Sequence, residues 1–519
     1  MDSLDELAEM ILSGKIKNKD ELNREKVKVA RKYRLDQIPS NTEIMHRIPE
    51  ERREEFNHII RIKPMRSLSG VAVVAIMTSP YACPHGKCIY CPGGPDNGTA
   101  QSYTGHEPAA MRAEQNHFDP YLQTTNRIAQ LEEIGHPTDK IDLIIMGGTF
   151  TARPYDYQRE FVKGAFDGMD GIISKSLEEA QELNERASHR CIGLTVETRP
   201  DWFMENEIEN SLRLGATRVE LGIQSTFDDV LEFVKRGHTV ADSIRSTRLT
   251  KDAGMKIVYH MMPGLPGSSI QKDMKSFRRI FTDPDFMPDM LKIYPTLVVK
   301  GTELYDMWKK GEYEPLDTDA ATELLIRVKE IVPPWVRIQR IQRDIPTQYI
   351  EAGVKRSDLR GYIQARMKEQ GKKCSCIRCR EIGHTNSKIG PKDVSLVRGD
   401  YEASHGKEVF LSYEGPNAEL IGFVRLRKIP EDSWKPETGE YGAIIRELKV
   451  FGSQVPIGDE PKGRWQHQGY GRKLVDEAEI IAKEGWGTDG ILVMSGVGVR
   501  EYYKKLGYER VSTYMGKRF

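Results

Sequence analysis

From Val71 onward the chain has a rhythm. Short runs of apolar and β-branched residues end in glycine, proline or polar side chains, and stretches with helical spacing separate them. The pattern predicts strands at 71–77, 141–146, 192–196, 218–223, 256–261 and 291–295. Strands alternating with helices imply βα units and a parallel sheet. Six such units predict an α/β chain built on a partial (βα)6-type barrel. In these folds chemistry sits on loops at the carboxyl ends of the strands. The polar residues found there are Cys83, Thr149, Glu197, Arg199, Gln224 and His260.

Past about Tyr401 the rhythm changes to short strands, predicted at 409–413, 420–427 and 442–451. An amphipathic helix at 469–484 follows, then a strand at 491–495 and a helix at 500–506. This predicts a second, compact α/β unit. A length of 519 residues fits three or four domains at ~150 residues each. We place the expected boundaries at 1–66, 67–354, 355–395 and 396–519.

Charge changes the picture in two places. Lysine plus arginine equals aspartate plus glutamate, 77 each, which excludes a chain basic throughout. Yet Lys15 to Arg34 holds nine basic residues against three acids, and 355–392 holds eleven against three. The first segment reads either as a solvated helix with salt bridges or as an arm for RNA phosphates. The longest apolar run, Val71 to Met77, is far short of the ~20 residues that cross a membrane. The start, MDSLDELAEM, lacks a secretory pattern, so a cytoplasmic protein without a membrane partner is expected.

Six of the seven cysteines fall in two tight triplets, which points to metal rather than disulfides. The first, Cys83, Cys88 and Cys91, follows a predicted strand. Three thiolates on one loop can hold three irons of a 4Fe–4S cluster and leave the fourth open. A zinc site with His85 as fourth ligand is the competing reading. The arrangement resembles the radical S-adenosylmethionine (SAM) superfamily, although the spacing of four then two residues departs from the usual three then two. Gly147 and Gly148 after the second strand are expected to let the backbone approach SAM closely.

In the last domain Gln466, Gly469 and Gly471 form a Q-x-x-G-x-G pattern that opens the predicted helix. Successive backbone N–H groups at a helix start cradle a pyrophosphate. The context resembles the GCN5-related acetyltransferases. That resemblance implies acetyl-CoA bound by Glu447, Leu448, Lys449 and Val450 along its pantetheine arm and by Gln466, Gly469, Tyr470, Gly471 and Arg472. It also implies a tyrosine general acid on the closing helix, Tyr502 or Tyr503, with Tyr503 favoured.

Residues 91–96 (CPGGPD), 146–150 (MGGTF), 197–201 (ETRPD), 465–471 (WQHQGYG) and 496–498 (GVG) together resemble the family of the catalytic, third subunit of Elongator. The short gap between Cys83 and Cys88 looks like the archaeal or bacterial form, which implies activity without the other subunits. The resemblance implies a partial radical SAM barrel joined through a zinc-binding linker to an acetyltransferase domain. It implies tRNA as partner, an electron donor, and a 5-carboxymethyl group installed on the wobble uridine. There, SAM cleavage gives a radical that abstracts hydrogen from the methyl of acetyl-CoA. The carbon radical adds to uracil, and thioester hydrolysis completes the group. Cys83, Cys88 and Cys91 would hold the cluster, and Glu197 and Gln224 would contact SAM. Lys140 matches a family lysine associated with acetyl-CoA near the radical centre. Lys292 and Tyr294, ending the last predicted barrel strand, are expected to face the same cavity. His260 remains open between core and site.

The second triplet, Cys374, Cys376 and Cys379, fits zinc, with His384 the nearest fourth ligand and a second cluster the alternative. Cys191 stands alone and is expected in the core. Two other readings compete: a protein lysine acetyltransferase with a regulatory SAM domain, and a metal-stabilised tRNA-binding scaffold. The two concentrated basic segments favour RNA over a basic protein tail.

Overall fold

The computed structural model describes residues 2–35, 37–60, 70–385, 387, 389–452, 465 and 468–519. Its central sheet has seven parallel strands in chain order: β1 (Ala72–Met77), β2 (Lys140–Met146), β3 (Arg190–Thr198), β4 (Arg218–Gln224), β5 (Lys256–Met261), β6 (Met290–Ile293) and β7 (Arg337–Ile341). The six predicted strands are present. β7 was not predicted, because Arg-Ile-Gln-Arg-Ile offers two apolar residues behind Pro333 and Pro334.

Strand parity sorts the side chains. On β2 the odd positions Ile141, Leu143 and Ile145 are buried with Phe161, Val162 and Phe166 of the helix Tyr155–Asp170. The even positions, Lys140, Asp142, Ile144 and Met146, take the hollow side. The same alternation on β4 puts Val219, Leu221 and Ile223 in the core and leaves Arg218, Glu220, Gly222 and Gln224 for the hollow. Gly193 on β3 has no side chain to block Arg218, which reaches across to Asp142 at 2.8 and 2.9 Å.

The second sheet contains β8 (Ser395–Ala403), β9 (Gly406–Glu414), β10 (Leu420–Lys428), β11 (Ala443–Val450), β12 (Gly490–Val493), β13 (Glu509–Val511) and β14 (Tyr514–Arg518), with β14 between β12 and β13. β11 and β12 run parallel but pair only at Ile444 and Ile445. The helix Tyr470–Ile480 lays Leu474, Val475 and Ala478 on this sheet and continues as a π turn to Gly485.

The two sheets meet at the amino ends of the barrel strands. Gly496 and Gly498 press on β3 so closely that a Cβ would come within 2.2 Å of the Ile192 carbonyl oxygen and 2.5 Å of Arg190 Cβ. Arg446 donates to Asp289 at 2.6 Å and Glu408 at 3.0 Å, and Arg427 to Asp252 at 2.6 Å. Arg425 donates to Glu447 at 2.8 Å.

The helices Ser3–Leu12, Lys19–Lys32, Asn41–His46 and Asn57–Ile60 have their own core around Leu7, Ile11, Leu22, Val29 and Ile44. The basic stretch is therefore largely an amphipathic helix, with acids in its first turn and Arg31 and Lys32 in its last, which suits the helix dipole. The second basic segment contributes the helix Leu359–Glu369, whose Leu359, Ile363 and Met367 join the barrel core. No helix among the described residues is long and apolar enough to cross a membrane. Cys191 is buried in the core.

Candidate functional site

A cavity of about 130 Å³ opens at the carboxyl ends of the barrel strands. On one side stands the loop after β1, with Cys83 and Cys88 lining the space. Cys83 Sγ lies 3.3 Å from Thr149 Oγ1, Cys88 Sγ 3.2 Å from His85 Nε2, and Cys91 accepts from Gln101 Nε2 at 3.0 Å. Burial raises the Cys83 and Cys88 thiol pKa values, opposed at Cys83 by Thr149 and at Cys88 by Arg236.

These three sulfurs fit a cluster better than a single ion. One tetrahedral zinc at ~2.3 Å from each sulfur draws its ligands to within ~4 Å of one another. Among the described residues two triplets close to within 4.8 Å, and Cys83, Cys88 and Cys91 are not one of them. Buried Arg199, with its Nη1 unpartnered, lines the same space.

The opposite wall is a buried charge cluster. Lys292 lies against Glu220 Oε2 and 3.6 Å from Glu197. His260 Nε2 is 2.7 Å from the same Glu220 oxygen, and Tyr103 donates to Glu197 at 2.9 Å. Tyr294 packs edge-on to His260 with centroids 5.4 Å apart. Burial alone would raise the Glu220 pKa; Lys292 and His260 reverse that and hold it well below the usual carboxylate range. Burial prevails at Glu197, whose pKa is raised, with Glu220 adding like-charge repulsion. The two carboxyls are thus pushed apart, the usual mark of different protonation roles. Glu197, Glu220 and His260 have metal-like spacing, but the Lys292 ammonium already sits among them and would repel a dication.

Several expected residues lie elsewhere. Lys140 starts β2, at the end of the barrel opposite the cavity, so it does not join Lys292 and Tyr294. The spacing that matched a family lysine carried no information about which end of the strand faces the cluster. Gly147 and Gly148 do have left-handed φ values of 132° and 89°. However, a Cβ on Gly147 would strike Thr78 Oγ1 at 2.1 Å, so that glycine makes room for the chain's own cluster loop. Gly148 does line the cavity, as do Glu197 and Gln224.

In the second sheet, β11 from Glu447 to Val450 is paired with β10 but has diverged from β12. Gly469 takes φ 82° at the start of the helix, and no side chain among the described residues caps it. Gln466 lies outside the described residues. The Tyr470 ring packs on Tyr413, and Arg472 is on the surface. Tyr503 is buried in the domain core beside Tyr508. The hydroxyl nearest the glycine turn is that of Tyr502, 3.2 Å from a Cβ built on Gly471. Adjacent tyrosines on a helix point about 100° apart, and sequence alone favoured the other ring of the pair.

Family models match over most of the chain: the ELP3 N-terminal domain at residues 1–68, the radical SAM superfamily at 77–280 and the Radical_SAM C-terminal domain at 288–369. A Methanocaldococcus infernus protein described as tRNA uridine(34) acetyltransferase is 54% identical over 514 residues, covering 97% of this chain and 96% of its own length. Human Elongator complex protein 3 is 44% identical, covering 96% and 93%. This chain belongs to the Elp3 family. The solved structure of archaeal M. infernus Elp3 lacking residues 1–46 superposes with a TM-score of 0.77 at 50% identity, over 87% of this chain and all of that one.

Membership of the Elp3 family makes the chain an enzyme with a radical SAM domain, and that superfamily implies a 4Fe–4S cluster and SAM. In this Elp3 chain the second triplet does close up: Cys374, Cys376 and Cys379 offer sulfurs within 4.8 Å of one another. His384 is not brought into that group; its Nε2 faces Glu381 at 3.7 Å, and Lys329 donates to Cys379 at 3.4 Å instead. The helical turn Ile377–Arg380 carries the chain away before residue 384. Sequence reasoning missed Glu220. Its signal was present: a charged residue at an inward, even position between apolar Val219 and Leu221.

Proposed function

We propose that this protein modifies the wobble uridine of tRNA, joining SAM-derived radical chemistry to acetyl-CoA and installing a 5-carboxymethyl group. The observation that carries this reading is the cavity in which Cys83 and Cys88 face the Lys292–Glu220–His260 wall. The name of the 54% identical relative supports uridine 34 as the target.

In this reading Cys83, Cys88 and Cys91 hold the cluster, and Glu197 and Gln224 hold SAM. When bound, the cluster supplies the electron that cleaves SAM to a deoxyadenosyl radical. Thr149 and Gln101 support the ligating sulfurs by hydrogen bonds, and the narrow cavity limits water. Lys292 and Tyr294 face the incoming base. Residues 396–519 act as the acetyltransferase domain. Glu447 to Val450 pair with the pantetheine arm along the edge β12 leaves, and the helix start at Gly469 to Arg472 receives the pyrophosphate. Lys140 serves the acetyl-CoA side at the amino end of the barrel, and Tyr502 replaces Tyr503 as candidate acid. Residues 1–66 bind tRNA, and 355–395 form a linker with zinc on Cys374, Cys376 and Cys379. The enzyme works in the cytoplasm with an electron donor and without other Elongator subunits.

The test is anaerobic. Iron is reconstituted, and acetyl-CoA hydrolysis and modified uridine are measured with and without tRNA, for wild type and Cys88→Ala. Hydrolysis that rises with tRNA, with Cys88→Ala making no modified uridine, is the expected result. Hydrolysis indifferent to tRNA would replace this reading with the protein-lysine acetyltransferase.

A further inference from the structure

The wall of the cavity holds a buried acceptor with nothing to accept from. Glu220 is 1% exposed and lines the cavity. Its Oε2 takes both Lys292 and His260, while its Oε1 has no partner. A buried carboxylate oxygen left unpaired is a standing cost to the fold. Nothing about anchoring Lys292 needs it, since Oε2 alone does that.

We propose that Glu220 Oε1 accepts the N3–H of the target uracil while Lys292 donates to the adjacent O4, so that this pair selects the base. The inference rests on the uridine reading above and names the residues that read it. Uracil presents an acceptor, a donor and an acceptor along its pairing edge. The wall presents the complement: the Lys292 ammonium, the Glu220 oxygen and, lining the same cavity, the Arg340 guanidinium. Lys292 has three N–H bonds, and its carboxylate neighbours are Glu220 and Glu197, so one N–H is left to donate. Because Glu220 stays ionised, Oε1 can only accept.

Cytosine reverses the two decisive poles. Its amino group would face the Lys292 ammonium, and its bare N3 would face the Glu220 oxygen. Enzymes that act on one base read its pairing edge in a pocket of this kind. A site built to bond a donor rejects the analogue lacking it far more strongly than an apolar pocket can.

The experiment uses the full-length, reconstituted protein and three anticodon stem-loops that differ only at position 34: uridine, cytidine and N3-methyluridine. Binding is read by fluorescence anisotropy and turnover by product. Wild type is expected to favour uridine over both others by ~100-fold. Glu220→Gln is expected to weaken uridine selectively, bringing the three within ~10-fold. If Glu220→Gln weakens all three equally and keeps the ratios, Glu220 only anchors Lys292 and the inference falls. If wild type accepts N3-methyluridine as well as uridine, it falls without any variant, so a misfolded Glu220→Gln leaves the test intact. Wild type inert toward all three RNAs overturns the uridine reading itself, a pattern distinct from lost selectivity.

Discussion

The two ends of the half-barrel both bury charge, and they use it in opposite ways. At the amino end, Arg425, Arg427 and Arg446 are fully buried, and each meets a carboxylate: Glu447, Asp252, Asp289 or Glu408. The N–H groups left over there belong to cations already paired. At the carboxyl end, Lys292, His260, Glu197 and Glu220 border a cavity, and the unpartnered atoms include the acceptor oxygens of Glu220 and Gln224. Buried charge alone does not mark a site. Unfilled hydrogen-bonding capacity beside open space does. The paired end holds two domains together, and the unfilled end is poised for a ligand.

The contrast is sharpest at Arg446. Arg446→Ala strands Asp289 and Glu408 in the interior, a loss of about 3–5 kcal/mol. Urea denaturation should show the midpoint fall, with the second sheet released from the barrel. Lys292→Met is expected to do the reverse. Product formation drops ~10²–10³-fold, while the urea midpoint moves less, because His260 still bonds Glu220 Oε2. A Lys292→Met protein that unfolds as readily as Arg446→Ala would erase the distinction between the ends.

The smallest effect concerns Lys251, buried at the paired end. Burial lowers its pKa to about 8, despite Asp289 and Glu408 nearby. Unfolded, it titrates near ~10.4. Between these values the unfolded chain holds more protons, so native stability rises with pH across that window. Below pH 8 the full cost is present. Lys251→Met should therefore gain stability at pH 7, by at most about 3 kcal/mol, and the gain should shrink steadily toward pH 10. A gain that does not depend on pH would mean that the ammonium is not what costs.

The barrel was readable because period-2 alternation on β2 and β4 is strict, and because every strand but β7 is apolar enough to stand out. β7 hides its pattern under two arginines, Arg337 and Arg340, in a strand of only five residues. The first cysteine triplet stood out from spacing, since its three thiols lie within nine residues. Lys140, Tyr503 and His384 lie apart from the groups they were expected to join, for one reason. Spacing along the chain fixes neither which end of a strand faces the chemistry nor which way a ring turns at the next helical position. Glu220 escaped because its importance lies in one oxygen without a partner, and partners are decided by β6 and β5, far away in sequence.

The placement of Lys140 and Met146 at opposite ends of β2 has a consequence for traffic. Six residue steps at ~3.3 Å separate them by roughly 20 Å. Gly496 and Gly498 lock the second sheet against β3, so this separation cannot be closed by sliding one domain over the other. A group loaded at the floor and consumed at the mouth would need a carrier arm as long as the strand, with β2 the gauge of that length.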